Sequence, residues 1–130
     1  MLIVTPYYNK PSQEGLARHF SAVAQATPDW PLILYVVPSR AQVTLEVDTL
    51  RRLLDRHPNI IAIKDATGDM LYGAQLIKAC EGRAHVLSGD DLTALPLWSL
   101  GAMGSISVTS NLYPASFARL WRDVLSHRWS

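Results

Sequence analysis

Cysteine is nearly absent: Cys80 is alone, so no disulfide framework can staple this chain. A lone thiol in an apolar segment reads as a small buried helix residue, and its lack of partners fits a reducing, cytoplasmic setting. An excess of charge is lacking too. Twelve basic side chains stand against eleven acidic ones, a net charge of +1, and neither sign gathers into a block. That pattern excludes the basic footprint of a nucleic-acid or membrane-surface binder and leaves a small neutral or anionic ligand. Long hydrophobic runs are also missing. The stretch Leu32 to Val37 is far shorter than the roughly 20 apolar residues a bilayer span needs, and no signal-peptide pattern is visible. Glycine is missing where a dinucleotide fold would need it. The first apolar run is followed by Thr5-Pro6-Tyr7-Tyr8-Asn9-Lys10-Pro11, which removes most of the weight from a Rossmann reading.

What is present is a repeating order of elements. With 130 residues the chain suffices for one domain with one core, and no linker or low-complexity tract divides it. Short apolar runs recur at Leu2-Ile3-Val4, Leu32 to Val37, Ile60 to Ile63, Ala84 to Leu87 and Ser105 to Val108. Their branched side chains and turn-rich borders predict strands buried on both faces. Helical spacing follows them. Leu16, Phe20 and Val23 share one face, as do Val47, Leu50 and Leu54, then Met70, Ala74 and Ile77, and finally Phe117, Trp121 and Val124. A shorter helix is expected over Asp91 to Leu100, with Pro96 inside it and Gly101 as its stop. Strand then helix, five times over, predicts an α/β protein with a parallel sheet, either doubly wound or a set of consecutive barrel units.

Every predicted strand ends in a polar cluster: Tyr7-Tyr8-Asn9, Pro38-Ser39-Arg40, Lys64 to Asp69, Ser88 to Asp91 and Thr109-Ser110-Asn111. In a parallel sheet these lie at one end, where α/β enzymes build their sites. Asp69 and Asp90 read as helix caps. Lys64, closing the run IIAIKDATGD, is the informative one, because lysine is rarely placed inside a sheet without a partner or a task. Schiff-base formation is the chemistry that would want a lysine there. An unperturbed amine of this kind is neutral only about once in a few thousand molecules at pH 7, and burial raises that fraction. An imine mechanism also needs a proton carrier and a cation for a substrate carboxylate. Tyr35 and Arg40 are residues of those types.

Five segments in order, VTPYYNKPSQEGL (Val4 to Leu16), ILYVVPSR (Ile33 to Arg40), IIAIKDATGD (Ile60 to Asp69), LSGDD (Leu87 to Asp91) and GSISVTSN (Gly104 to Asn111), resemble the dihydrodipicolinate synthase / N-acetylneuraminate lyase family. The resemblance spans essentially the whole chain. It implies a partial (β/α)8 TIM barrel, units four to eight, as one incomplete domain over residues 1–130, with three N-terminal units and a C-terminal helical segment of the family unmatched. It implies a class I aldolase chemistry that condenses pyruvate with L-aspartate 4-semialdehyde in lysine and diaminopimelate biosynthesis. In that reading Lys64 forms the imine, Tyr35 transfers protons and Tyr8 reaches into a neighbouring subunit's site. Arg40 holds the semialdehyde carboxylate, while Ile106 and Gly89 line the pyruvate pocket. No metal or cofactor is implied beyond the covalent imine, and the family's assembly is a homo-oligomer. Pro38-Ser39-Arg40 favours the synthase branch over the sialic acid lyase branch.

The chain departs from the family pattern at Val36, where an asparagine is usual, and at Ala41-Gln42, where Thr-Gly is usual. These departures bear on the second substrate more than on the imine. The family's Gly-Thr-Thr-Gly-Glu motif, whose threonines bind the pyruvate carboxylate and complete the relay, has no counterpart. The chain by itself is therefore expected to be inactive. Another pyruvate-dependent keto-acid aldolase and a non-catalytic remnant stand as alternatives.

Overall fold

Leu32, Leu34 and Val36 alternate along one strand with Ile33 and Tyr35, and the two sets meet different surroundings. In the computed structural model, which describes residues 1–126, the first set is fully buried against helices and the second is only half-buried. The elements follow in the order β1 (Leu2–Val4), α1 (Gln13–Ala26), β2 (Leu32–Val36), α2 (Pro38–Ala41), α3 (Val47–Arg56), β3 (Ile60–Asp65), α4 (Met70–Cys80), β4 (His85–Ser88), α5 (Ala94–Ser99), a 3-10 turn (Thr109–Asn111) and α6 (Pro114–Leu125). The four strands form one parallel sheet in sequence order. Helices packed on one face give an arc of a barrel, whereas a doubly wound sheet would have both faces covered.

Local chemistry accounts for the element ends. Ser12 caps α1 through a side-chain bond from the Gly15 amide, and Asp69 caps α4 by accepting from the amides of Leu71 and Tyr72. Leu16 and Phe20 of α1 and Leu50 and Leu53 of α3 enter the core against β2 and β3. A second aromatic group extends it, with Trp98 edge-on to Phe117 and Trp121 at centroid distances of 5.5 and 5.0 Å. Cys80 is buried on α4 as expected, and burial pushes its thiol up to about 12. Among the described residues no helix is long and apolar enough to cross a membrane.

The sequence expectation differs from the fold in four places. Burial on both faces is realised only in β3, where Ala62 to Asp65 are all buried; β1, β2 and β4 keep one face half-buried or exposed, since among the described residues no helical layer covers the sheet's second face. Ile61 is 42% exposed, since the β2–β3 register jumps from Leu32↔Ile60 to Ile33↔Ala62 and leaves it as an extra residue. The run Ser105 to Val108 forms no regular strand. It touches β4 through one bridge, Ser88↔Ser105, with hydrogen bonds on both sides of Ser88, and then turns into the 3-10 segment. No strand among the described residues lies on its other side to extend the ladder. Finally, α5 begins at Ala94 rather than Asp91, which puts Pro96 in the first turn, where a missing N–H costs nothing.

Candidate functional site

The carboxyl ends of β2, β3 and β4 bring together the residues that sequence chemistry singled out. Tyr35 and Lys64 are register partners on β2 and β3, and Lys64 pairs in turn with Leu87 on β4. All three therefore point to the half-open face. The Lys64 amine lies over the Tyr35 ring, 4.0 Å from its centroid, a cation–π geometry. Lys64 is only 9% exposed, and among the described residues no carboxylate forms an ion pair with it. Gly89, just past β4, is held by its amide to the Asp65 carbonyl at 2.7 Å and lies directly against the Lys64 stem.

The turn after Lys64 is built by its own polar side chains. The Asp65 carboxylate accepts from the Thr67 amide, the Thr67 hydroxyl accepts from the Asp69 amide, and Asp69 then caps α4. Gly68 takes a φ of +70°, the one step of this turn that requires freedom from a Cβ. Asp65 faces the helices and is buried. Its carboxyl is held above the usual value chiefly by burial, against the lowering bonds from Thr67 and with the nearby Asp69 and Asp90 charges adding to the rise. Gly73 of α4 lets that helix pass close to Asp65 and Leu97.

The remaining predicted residues lie farther out. Ile106 donates its amide to the Ser88 carbonyl and is 38% exposed, on the segment beside β4. Arg40 stands on α2 with an exposed side chain, which among the described residues has neither a hydrogen bond nor an ion pair. Tyr8 is 92% exposed on the loop after β1, and among the described residues its hydroxyl has no hydrogen-bond partner. The site thus consists of a tight group, Lys64, Tyr35 and Gly89, and an outer set, Arg40, Ile106 and Tyr8. Shape alone would have pointed elsewhere. A cleft of about 750 Å³ lined by Ile77, Cys80, His85 and Met103 lies at the opposite, amino end of β4.

Sequence reasoning missed Asp91. It reads as a helix-start residue, yet its carboxylate accepts from the amides of Val108 and Thr109 and from the Thr109 hydroxyl. Burial raises its carboxyl, but the bonds from Ser107, Thr109 and Val108 outweigh that effect and hold it below the usual value. The signal was available only as a second acidic residue after a strand, and one cap was enough to explain the pair.

Comparison with known proteins bears on this arrangement. The profile of the Dihydrodipicolinate synthetase family matches residues 1–126. A 4-hydroxy-tetrahydrodipicolinate synthase of Marinobacter nauticus is 52% identical over 125 residues, which cover 96% of this chain and 42% of that protein. The crystal structure of dihydrodipicolinate synthase from Aquifex aeolicus superposes with a TM-score of 0.94 at 43% identity, over 98% of this chain and 43% of that one. The Acinetobacter baumannii dihydrodipicolinate synthase, solved with pyruvate, superposes with a TM-score of 0.90 at 51% identity, over 96% and 42%. The chain therefore spans about two fifths of the length of the relatives it matches.

Proposed function

The chain belongs to the dihydrodipicolinate synthetase family, and from that premise we propose that it carries the imine-forming half of a synthase that condenses pyruvate with L-aspartate 4-semialdehyde. The observation that carries the reading is the pairing of Lys64 and Tyr35 across β2 and β3, with the amine 4.0 Å from the ring centroid. The Lys64 amine attacks C2 of pyruvate. The carbonyl oxygen takes up protons and leaves as water, and a C=N bond replaces C=O. Loss of a proton from C3 gives an enamine, whose carbon attacks the aldehyde carbon of the second substrate; the aldehyde oxygen takes up a proton and the C=N bond re-forms. Attack at the imine carbon by water or by the second substrate's own amine releases the product and returns the Lys64 amine. Tyr35, beside the amine, carries protons between these steps. The imine is the only covalent device the scheme requires, and no cofactor enters it.

The outer residues take supporting parts. Arg40, whose guanidinium has no other partner among the described residues, offers a fork of donors to the semialdehyde carboxylate. Gly89 and Ile106 border the space in front of the amine, where pyruvate would lie. Tyr8, projecting from the molecule, is the residue assigned to a neighbouring subunit's site in a homo-oligomer. The pyruvate held by the A. baumannii relative supports the first substrate.

A second reading, another pyruvate-dependent keto-acid aldolase, is favoured by Val36 and by Ala41-Gln42 next to Arg40. Gln42 stands at φ 54°, a conformation natural to glycine, so the segment carrying Arg40 meets the substrate side with altered chemistry. Both readings keep the imine. The experiment is borohydride reduction of the chain in the presence of pyruvate, followed by peptide mass mapping. The expected result is a reduced pyruvate adduct on Lys64; an adduct on Lys10 or Lys78 instead overturns the assignment. Competition among aldehydes for the trapped enamine then separates the two readings.

A further inference from the structure

Gly89 is a glycine for a reason that its own backbone does not supply. Its φ lies outside the left-handed region, so an L side chain meets no conformational barrier there. What it meets is Lys64. A Cβ at position 89 would lie 2.7 Å from Cε and 2.9 Å from Cγ of Lys64, and 3.0 Å from Cβ of Ala66. These distances are well inside the optimal carbon–carbon separation of about 3.5–4.0 Å. Gly89 cannot retreat, because its amide is bonded to the Asp65 carbonyl and its neighbour Ser88 is bonded to Gly104 and Ile106 on the other side. The Ser88 hydroxyl also donates to the Asp90 carbonyl, which closes the turn. The Ala66 Cβ is fixed to β3's end by the Ala66 amide bond to the Val36 carbonyl. The movable party is the lysine.

We infer that Gly89 is the positioning residue for the Lys64 amine: its bare Cα and the Tyr35 ring form the two walls of a slot that holds the lysine stem. One wall is the ring under the amine; the other is the missing side chain. The role is exerted through Lys64 and is separate from any contact Gly89 makes with substrate. Its consequence for imine formation rests on the function proposed above, while the slot itself does not. A misplacement of about 1 Å at a reacting group costs on the order of a hundredfold in rate.

Two measurements test this. Competitive acylation of the lysines with acetic anhydride, read by peptide mass spectrometry, reports on the slot without pyruvate. In Gly89→Ala the Lys64 signal is expected to rise several-fold relative to Lys78, as the stem leaves its slot, while borohydride trapping of pyruvate falls by about tenfold or more. A general loosening of the fold would also expose Lys64, so the rise by itself counts for the slot only where Gly89→Ala melts with the unsubstituted chain and the acylation of other buried groups is unchanged; a rise that comes with a lowered melting temperature overturns the inference unless the lowering depends on the lysine stem. An unchanged acylation ratio overturns the inference. Absence of any adduct in the unsubstituted chain overturns the proposed function and leaves the acylation result to decide the slot. Should Gly89→Ala unfold or melt early, a double-substitution cycle decides: Lys64→Ala removes both clashing carbons of the lysine and leaves only the Ala66 contact, so Gly89→Ala is expected to lower the melting temperature far less in that background than in the unsubstituted chain. If Gly89→Ala is equally damaging with and without the lysine stem, Gly89 serves the backbone and the inference fails.

Discussion

The carboxylate of Asp91 and the amide of Thr109 meet at 2.7 Å, which stitches the loop after β4 to the turn that follows Val108. Two rim residues of the candidate site, Gly89 and Ile106, lie on the two segments so joined. The segment from Ser105 to Val108 has no strand on its outer side among the described residues, so this carboxylate supplies holding that a full ladder would otherwise give.

Replacing Asp91 with alanine is expected to destabilise the chain by about 1 kcal/mol, in the range of ordinary hydrogen bonds because the group is largely solvated. The pH dependence has a definite sign. The folded carboxyl lies below its usual value, so its contribution is present above about pH 4 and is lost as pH falls through the folded value. Urea denaturation of the wild-type chain and of Asp91→Ala between pH 3 and 7 checks it: the two midpoints should converge at the acid end. A constant gap across the range would show that the carboxylate's charge plays no part.

His57 gives a second titration with the opposite residue type. It ends α3, is 7% exposed, and its Nε2 lies 2.8 Å from the Ser21 hydroxyl of α1. Burial, with the Arg56 charge adding, holds its pKa below 6.5, so the fold prefers the neutral ring. The unfolded chain binds the proton first as pH falls. Stability from this group is therefore complete above about pH 6.5 and declines below it, towards the folded value. His57→Gln, which retains a polar side chain for Ser21, should flatten the denaturation midpoint between pH 5 and 7. A slope equal to wild type would exclude His57 as its source.

Gln42 tests backbone strain. Its φ of 54° places a side chain in the left-handed region at the end of α2, where non-glycine residues pay a steric penalty. Gln42→Gly removes that penalty but gives the unfolded chain more freedom, so the net gain is expected to be about 0.5–1 kcal/mol. Thermal melting decides, with Gln42→Ala as the control that keeps the strain.

These positions also show what the sequence disclosed. Periodicity placed α1, α3, α4 and α6 because their apolar spacing answers to a core on one side only, as with Leu16 and Phe20 or Leu50 and Leu54. It placed Lys64 at a strand end because a charge closing a branched run has few explanations. It overestimated Ser105 to Val108, since strand formation depends on cross-strand pairing, and this segment makes only one bridge, Ser88↔Ser105, before it turns away from β4. It gave no sign of the short helix at Pro38–Ala41, whose four residues are too few for a period to appear. The slot formed by Gly89 was beyond it, because the contact joins residues 64 and 89 across two strand ends and depends on an absent atom.

The last expectation concerns turnover by the 130-residue chain itself. Among the described residues no layer covers the sheet face that presents Lys64 and Tyr35: Leu2 at the β1 edge is 44% exposed and Ile106 at the other is 38% exposed. Condensation needs the amine, a proton relay and an anion site in fixed geometry, and removal of one member of such a coupled group costs far more than its share of contacts. The Tyr35 hydroxyl has no hydrogen-bond partner among the described residues, so the relay is not assembled around it. Nor does any hydrogen bond or ion pair among the described residues hold the Arg40 side chain toward the Lys64 amine. Imine formation asks for less, a nucleophile and a ketone, and is expected to survive in slower form. The chain should therefore show a borohydride-trappable pyruvate adduct on Lys64 and no condensation above background in a coupled assay with pyruvate and aspartate semialdehyde. The full-length Marinobacter nauticus synthase serves as the positive control. Turnover by the monodisperse chain within tenfold of that control would show that four strands and their loops suffice, and that the open face is no obstacle to the relay.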